Sequence, residues 1–274
     1  MMKRRTFLFG LLLSISGFSG LPAHAAGKTE MLVYPGTGKA QIPQAEFDRG
    51  FKALTTSLKS ELRLKTKLVR RIPRLYEALG GEKAPEFMFG PPQAAATYIN
   101  AGYIPLVRVA KKASGMIVSA KSLDDVTRVG YPGEESWLGI VGRYSVNQIR
   151  KTDLPHEYFN TQDDVVLALK SGIVDAGSLR ANTFEKLRES NPEFTAIIKL
   201  PGTADFTVVA NPETTTEKER EIIRQAFINM LPEVKAALTP VMHVPVDSFV
   251  AADKEDYDIL QRIVKAENKL GGNK

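Results

Sequence analysis

One short segment could bind phosphate, but it lacks two residues that such a loop requires. Gly36-Thr37-Gly38-Lys39 follows an apolar run, as a phosphate-binding loop follows a strand. The motif needs Gly at position 33 and Ser or Thr at position 40, and the chain has Val33 and Ala40 there. Without them the loop can neither wrap a phosphate nor hold a magnesium ion. A flexible polar loop is therefore the favoured interpretation.

Acid–base and metal chemistry are also weakly supported. Beyond position 25 the only histidines are His156 and His243, and each is interpreted as a structural or surface residue. Glu134 and Glu135 are adjacent, so their side chains point in different directions, and a solvated helix start is favoured over a catalytic pair. The chain has no Cys, which excludes a thiol nucleophile and a thiolate metal site. We expect no catalytic residue, no metal site and no cofactor.

The first 25 residues have the pattern of an export signal. Lys3, Arg4 and Arg5 precede an apolar stretch from Phe7 to Phe18, and Ala23-His24-Ala25 is a small-x-small cleavage pattern. The alternative is a retained membrane anchor, but the apolar run is shorter than the ~20 residues that a span needs. The paired arginines leave both the twin-arginine and the general secretory route open. We expect a protein exported to the periplasm, without a lipid-bearing Cys.

The charge of the remaining chain argues against nucleic acid as a partner. The net charge is +6, but residues 1–25 supply three of the cations, leaving 34 Lys and Arg against 31 Asp and Glu. These charges are interleaved and form no polybasic block. We therefore expect a soluble monomer that does not bind nucleic acid.

Apolar runs alternate with amphipathic stretches along the chain. Between 44 and 62, the residues Phe47, Phe51, Leu54 and Leu58 recur at the spacing of one helix face. The same reasoning predicts further helices at 73–79, from 92, and at 136–148, 162–169, 182–189, 217–230 and 253–265. It predicts strands at 31–34, 67–70, 86–89, 104–110, 115–119, 129–131, 156–160, 173–176, 195–200 and 206–210. This alternation favours an α/β fold with mainly parallel sheets flanked by helices.

Two connections divide the elements into two groups. The segments 111–115 and 201–204 have the length and composition of crossovers between lobes. If both are hinges, lobe one comprises 28–110 plus 205–274 and lobe two comprises 114–200. A helix that ends at Gly and leads into a strand occurs in each half, at 76–86 and at 166–174, which favours two lobes of similar construction. Double hinges of this kind permit closure around a ligand.

The order of these segments resembles the phosphonate-binding-like periplasmic proteins of ABC importers, a branch of the type 2 solute-binding fold. The segments that carry the resemblance are 75–79, 86–92, 121–126 and 164–175, within a similarity that spans about 30–265. The resemblance implies a periplasmic protein that closes on a small molecule and delivers it to an inner-membrane permease. The solute it implies is an organic anion or a phosphonate- or phosphate-ester-like compound. A periplasmic partner of a signalling system and an enzyme on the same fold are the alternatives.

The resemblance also implies that helix N-termini, a tyrosine and a Ser/Thr-rich turn hold the ligand. Tyr76 matches the tyrosine, but only Ser136 remains of the hydroxyl-rich turn, and the segment 161–164 lacks the family's histidine. Glu134 and Glu135 at that turn would repel a dianion by ~1 kcal/mol or more. A ligand with a cationic or hydrogen-bond-donating end, or a less charged organic acid, therefore fits better than a phosphonate.

The expected cleft lies at the carboxyl ends of the strands. Arg74 and Arg180 are either cations for a carboxylate or surface residues. Trp137, the only Trp, either stacks on the ligand or packs in the core of lobe two. The candidate ligand-binding residues are Tyr34, Arg74, Tyr76, Gly90, Ser114, Glu134, Ser136, Trp137, Thr161, Gln162, Ser178 and Arg180.

Overall fold

The computed structural model describes residues 29–36, 41–243 and 248–271. The predicted export signal at 1–25 and the loop residues 37–40 lie outside these ranges. Within the described ranges no helix is both long enough and apolar enough to cross a membrane.

The strands form two separate sheets, which confirms the two-lobed α/β fold class. The first lobe has a six-stranded sheet in the order β11-β4-β10-β3-β1-β2, and the second has a five-stranded sheet in the order β7-β6-β8-β5-β9. The strands are β1 (Thr29–Val33), β2 (Leu64–Leu68), β3 (Phe87–Gly90), β4 (Ile104–Val109), β5 (Gly115–Ser119), β6 (Val129–Pro132), β7 (His156–Phe159), β8 (Ala176–Arg180), β9 (Thr195–Lys199), β10 (Thr207–Ala210) and β11 (Phe249–Ala251).

Helices connect these strands and cover the sheets. The described α-helices are α1 (Gln44–Ser57), α2 (Ile72–Leu79), α3 (Pro92–Asn100), α4 (Trp137–Arg150), α5 (Gln162–Lys170), α6 (Ala181–Ser190), α7 (Glu217–Ile228), α8 (Pro232–Leu238) and α9 (Asp258–Gly271). Short 3-10 turns lie at Leu123–Asp125 and Lys254–Tyr257. The sequence predicted neither α8 nor β11, because each is too short to show a clear period.

Strand directions are more mixed than the sequence predicted. β2, β1 and β3 are parallel, but β10 runs antiparallel to both β3 and β4. In the second sheet β7, β6 and β8 are parallel, and β5 runs antiparallel to both of its neighbours. The antiparallel strands β5 and β10 each follow a crossover between the lobes. Four of the six strands in the first sheet (β1 to β4) and four of the five in the second (β6 to β9) nevertheless run in one direction, so the prediction of mainly parallel sheets is confirmed, with β5, β10 and β11 as exceptions that the sequence did not predict.

The strand predicted at 173–176 was also misplaced. Ile173 and Val174 both donate backbone hydrogen bonds to the carbonyl of Ala168, so they continue the turn that ends α5. The strand β8 begins at Ala176 and runs to Arg180. This shift places Ser178 in the middle of a strand instead of in a loop after one.

The two crossovers between the lobes lie side by side. Ala113 in the first and Thr203 in the second form an antiparallel bridge, with N–H to carbonyl distances of 2.9 and 3.3 Å. Both residues are almost completely buried. The lobes are thus joined by two segments that hydrogen-bond to each other. The lobe boundaries at these segments stay a prediction.

The last helix, α9, contacts both lobes. Gln261 Nε2 donates to Asn100 Oδ1 of α3 at 2.9 Å, and Arg143 Nε of α4 donates to Glu267 Oε2 at 2.6 Å. Leu260 and Ile263 of α9 pack in the same apolar cluster as residues of the second sheet. This helix returns from the first lobe and packs across onto the second.

The carboxylate of Asp175, directly before β8, connects this strand to the segment 121–127 by hydrogen bonds. Its carboxylate accepts from the Thr127 N–H at 2.9 Å, from the Thr127 hydroxyl at 2.6 Å and from the Lys121 ammonium. These hydrogen bonds, first from Lys121 and then from Thr127, lower the pKa of Asp175 well below its usual range.

We expect Asp175→Asn to lower the melting temperature by roughly 4–8 °C at pH 7, since charge-assisted hydrogen bonds are lost. A lowered carboxyl pKa stabilises the fold above the unfolded pKa of about 4, and this contribution is lost as the pH falls further. The deficit of the variant should therefore shrink below pH 4 in thermal melts. An equal deficit at pH 7 and at pH 3 would contradict this account.

Candidate ligand site between the lobes

Three helices bring polar side chains to one junction between the lobes. α2 and α3 follow the parallel strands β2 and β3 of the first sheet, and α4 follows β6 of the second. Each helix begins at the carboxyl end of its strand, which is where ligands bind in open α/β sheets. The residues that meet there are Tyr76, Gln93, Thr97 and Glu135. We call these four residues the junction cluster.

Tyr76 lies on α2, is half-buried and lies near Thr97 of α3. The neighbouring helix is held in place by Tyr98, whose hydroxyl donates to the Leu75 carbonyl at 2.7 Å. Burial, followed by the nearby Glu135 carboxylate, raises the pKa of Tyr76 far above its ordinary value. Tyr76 therefore stays protonated and can donate or accept a hydrogen bond.

Gln93 joins the two lobes directly. It lies in the first turn of α3, is 1% exposed, and its Nε2 donates to the backbone carbonyl of Glu135 at 2.8 Å. The Gln93 backbone carbonyl accepts from the Thr97 hydroxyl at 2.9 Å, which ties the two residues together on α3. The lobes are thus in contact at the junction cluster.

The turn before α4 carries two adjacent carboxylates. Glu134 and Glu135 are both exposed, and Gly133 begins the turn with φ of +75°, a conformation that favours glycine. Desolvation, followed by the charge of Glu134, raises the pKa of the Glu135 carboxyl above its ordinary value. The ionised form of Glu135 is therefore less stable here than in water.

The helix starts at this junction are poor in free N–H groups. Pro91 and Pro92 occupy the cap and first positions of α3, so two of the four donors that a helix start normally offers are absent. On α4, Ser136 Oγ accepts from the Gly139 N–H at 2.9 Å, which leaves those of Trp137 and Leu138 without an intrahelical partner. Each of the two helix starts therefore retains a pair of N–H groups without an intrahelical partner, those of Gln93 and Ala94 on α3 and those of Trp137 and Leu138 on α4.

A second group of polar residues surrounds the hinge. Trp137 is 3% exposed, and its indole N–H donates to the Thr203 hydroxyl at 2.8 Å. The Arg180 guanidinium lies over its ring, 4.5 Å from the centroid, and pairs with Asp205 at 3.3 Å. Trp137 therefore packs between the hinge and Arg180. Its ring face is covered by an arginine of the same chain.

Several other predicted site residues are held in local contacts. Gln162 Oε1 accepts from the Arg180 backbone N–H at 2.8 Å, and the Ser114 carbonyl accepts from the Ala181 N–H at 3.3 Å. Thr161 caps α5 in a reciprocal pair with Asp164. These contacts fix the ends of β8 and the starts of α5 and α6.

Four predicted site residues do not reach the junction cluster. Ser178 is completely buried, and its hydroxyl donates to the Leu138 carbonyl at 2.9 Å. The exposed Arg74 pairs with Glu77 on its own helix. Tyr34 is buried at the end of β1, stacked on Phe206. Gly90 is buried, and an added Cβ would meet Met88 Sδ at 2.6 Å.

The predicted site residues did not include Gln93, Thr97, Glu135, Thr203 and Asp205. Gln93 has one usable signal, since it is the only polar residue between Pro91 and Ala96, directly after a buried strand. Thr203 and Asp205 have none, because their roles depend on contacts with residues distant in the sequence.

Two surface cavities lie away from the junction cluster. One, of about 400 Å³, is a groove between α1, α7 and α8. The other lies behind the hinge and is lined by Arg108, Lys112 and Asp256, among others. Neither is lined by Tyr76, Gln93 or Glu135. The junction is closed by direct contact between the lobes, so a ligand would enter when they separate. Among the described residues there is also no group of three or more potential metal ligands.

The raised pKa of Glu135 predicts that removing its carboxyl group makes the fold more stable, and that this effect depends on pH. A carboxyl group whose pKa is higher in the folded than in the unfolded state destabilises the fold above that pKa. It has no effect once it is protonated in both the folded and the unfolded state. We expect Glu135→Gln to raise the melting temperature at pH 7 by at most about 2 °C, because the residue is partly exposed. The gain should vanish below pH 4. Glu193→Gln, at an exposed site of the second lobe, is the control and should leave the melting temperature unchanged both at pH 7 and below pH 4. A loss of stability at pH 7 would refute the assignment.

Comparison with solved structures supports the fold. PhnD1 from Prochlorococcus marinus in complex with methylphosphonate superposes with a TM-score of 0.61 at 14% identity, covering 88% of this chain and 98% of that one. The periplasmic aliphatic sulphonate binding protein SsuA from Escherichia coli gives 0.57 at 15% identity, covering 90% and 94%. A Xanthomonas citri protein bound to chloride ion gives 0.68 at 10% identity, covering 90% and 99%.

Sequence comparison identifies the family. A search of curated proteins finds no matching relative. The family model described as "ABC transporter, phosphonate, periplasmic substrate-binding protein" matches residues 40–257, which is most of the chain. Together with the two-lobed fold, this match shows that the chain belongs to the phosphonate-type periplasmic substrate-binding proteins of ABC transporters.

Proposed function

We propose that this protein captures a small solute between its lobes at the junction cluster and presents the closed form to an ABC permease in the inner membrane. The observation that carries the proposal is the hydrogen bond from Gln93 of the first lobe to the Glu135 carbonyl of the second. It lies where α3 and α4 begin, beside the half-buried Tyr76. A solute bound there would contact both lobes at once.

Closure around a solute follows from the way the lobes are joined. A ligand that contacts both lobes binds the closed form better and shifts the population toward it. The bridge between Ala113 and Thr203 keeps the two crossovers together while the lobes move. Trp137, bonded to Thr203, links the start of α4 to this hinge. Movement of the hinge is thereby coupled to the turn that carries Glu135.

The remaining parts of the proposal concern export and chemistry. Residues 1–25 act as a cleaved export signal, and the mature protein works in the periplasm as a monomer without enzymatic activity. The lack of a thiol and the incomplete phosphate loop in the sequence are consistent with a binding function. No observation favours a signalling role over transport.

The ligand class is part of the same proposal. The solute is a small organic acid with fewer negative charges than a phosphonate dianion. Glu134 and Glu135 stand beside the start of α4, and at short range they repel a dianion. The N–H groups of Trp137 and Leu138 suit a single acidic group.

Native mass spectrometry of the protein isolated from its own periplasm tests this function. We expect a bound small molecule that is released on unfolding, and a higher melting temperature for the loaded protein. Tyr76→Phe should lower the bound fraction because it removes a hydroxyl at the junction cluster. Tyr144→Phe, on α4 and outside the cluster, is the control and should retain the solute.

Two results would overturn the proposal. One is a protein that carries no small molecule and whose melting temperature is unchanged by a periplasmic metabolite extract. The other is equal retention of solute by wild type and the Tyr76 variant, combined with solute loss on mutation of the groove between α1 and α7.

A further inference from the structure

The start of α9 is fixed to the first lobe. Just before the helix, the Tyr257 hydroxyl bonds to the Thr207 hydroxyl at 2.6 Å, and Asp256 Oδ2 accepts from Arg108 Nε at 2.8 Å. Thr207 lies on β10 and Arg108 on β4, so both partners belong to the first sheet. The bond between α9 and α3 adds a third contact with the same lobe. We therefore expect the start of α9 to move with the first lobe.

The far end of α9 reaches the second lobe through an ion pair. Glu267, near the end of the helix, is 5% exposed, and its Oε2 accepts from Arg143 Nε of α4 at 2.6 Å. Arg143 Nη1 donates in turn to the Tyr158 hydroxyl of β7 at 2.5 Å. When the lobes separate, α4 and β7 move away from the first lobe. Separation of the lobes therefore pulls Arg143 away from Glu267.

This ion pair is only partly satisfied. Both of the Arg143 nitrogens that contact Glu267, Nε and Nη2, meet the same carboxylate oxygen, Oε2. The other oxygen of Glu267, Oε1, is buried and has no hydrogen-bond partner among the described residues. A buried carboxylate loses its hydration, and an arginine that contacts both oxygens replaces more of that hydration than an arginine that contacts one. The pair therefore resists separation of the lobes by less than a fully satisfied pair would.

We propose that the pair of Glu267 and Arg143 is a latch that sets how often the lobes are in contact before a solute binds. Because the latch is only partly satisfied, the solute-free protein populates both the contacting and the separated arrangement. A solute that binds the contacting arrangement then binds with an apparent affinity that is lowered in proportion to the population of that arrangement. Glu267 and Arg143 thus tune the affinity from outside the junction cluster.

Spin labels on opposite lobes test the latch in protein that has been stripped of solute. Glu77→Cys on α2 and Asp163→Cys on α5 are exposed sites, on the helices that follow the edge strands β2 and β7. Electron paramagnetic resonance should show a shorter and a longer distance between these labels. Glu267→Gln keeps the size of the side chain but leaves the buried Arg143 without a counterion. We expect it to lower the ratio of the shorter to the longer distance by at least about threefold.

Replacing both members of the pair should have the opposite effect. The double variant Arg143→Met with Glu267→Leu buries no charge, so we expect it to raise the same ratio by at least about threefold. A residue that only supports the fold would change the melting temperature and leave the ratio as it is. Should Glu267→Gln fail to fold, the double variant alone decides.

The matched control is Glu193→Gln, which makes the same chemical change at an exposed site of the second lobe. It should give the wild-type ratio of distances. The inference is overturned if Glu267→Gln also gives the wild-type ratio, or if the double variant does not raise it. No solute is used in this experiment, so its failure leaves the proposed function standing. That function falls by a separate result, the absence of any solute on the protein from its own periplasm.

Discussion

The hinge depends on a single antiparallel bridge between two segments that are far apart in the sequence. Ala113 and Thr203 exchange backbone hydrogen bonds, and the Thr203 hydroxyl accepts from the Trp137 indole. The bridge brings together the two crossovers between the sheets and connects them to the start of α4. The position of the acidic turn at Glu135 relative to α3 follows from this arrangement.

The helix α9 limits how freely the lobes can separate about this hinge. It bonds to α3 through Gln261 and Asn100, and to α4 through Glu267 and Arg143. Both helices also begin at the junction cluster. Opening of the junction therefore has to move α9 relative to at least one of them. The ion pair of Arg143 and Glu267 is largely buried, which makes its disruption more costly than that of an exposed pair.

The sequence predicted the fold class because each sheet is built from short apolar strands alternating with amphipathic helices. Phe47, Phe51 and Leu54 lie on one buried face of α1, as their spacing indicated. Direction and register could not be predicted, since antiparallel pairing of β5 and β10 depends on where the crossovers enter. β8 was placed too early because Ile173 and Val174 are as apolar as strand residues, although their N–H groups close a turn.

The site was less predictable than the fold. Tyr76, Trp137 and Arg180 are predicted site residues, and the structure places Tyr76 at the junction and the other two at the hinge. At the acidic turn the sequence predicted Glu134, whereas the residue in the junction cluster is its neighbour Glu135. Ser178 was chosen because the strand seemed to end before it, and it is buried. Gln93 was missed because a lone glutamine in an alanine-rich helix has no local signature. Gln93 matters because it contacts Glu135, which is 42 residues further along the chain.

The central claim is that the two lobes close on a solute at the junction cluster. The chain has no Cys, so spin labels can be placed on Lys83→Cys in the first lobe and Asn182→Cys in the second. Electron paramagnetic resonance then measures the distance between the lobes in solution. The account predicts a broad or double distribution for protein stripped of solute, and a single shorter distance once a periplasmic metabolite extract is added. One unchanged distance, with and without every solute tested, would contradict it.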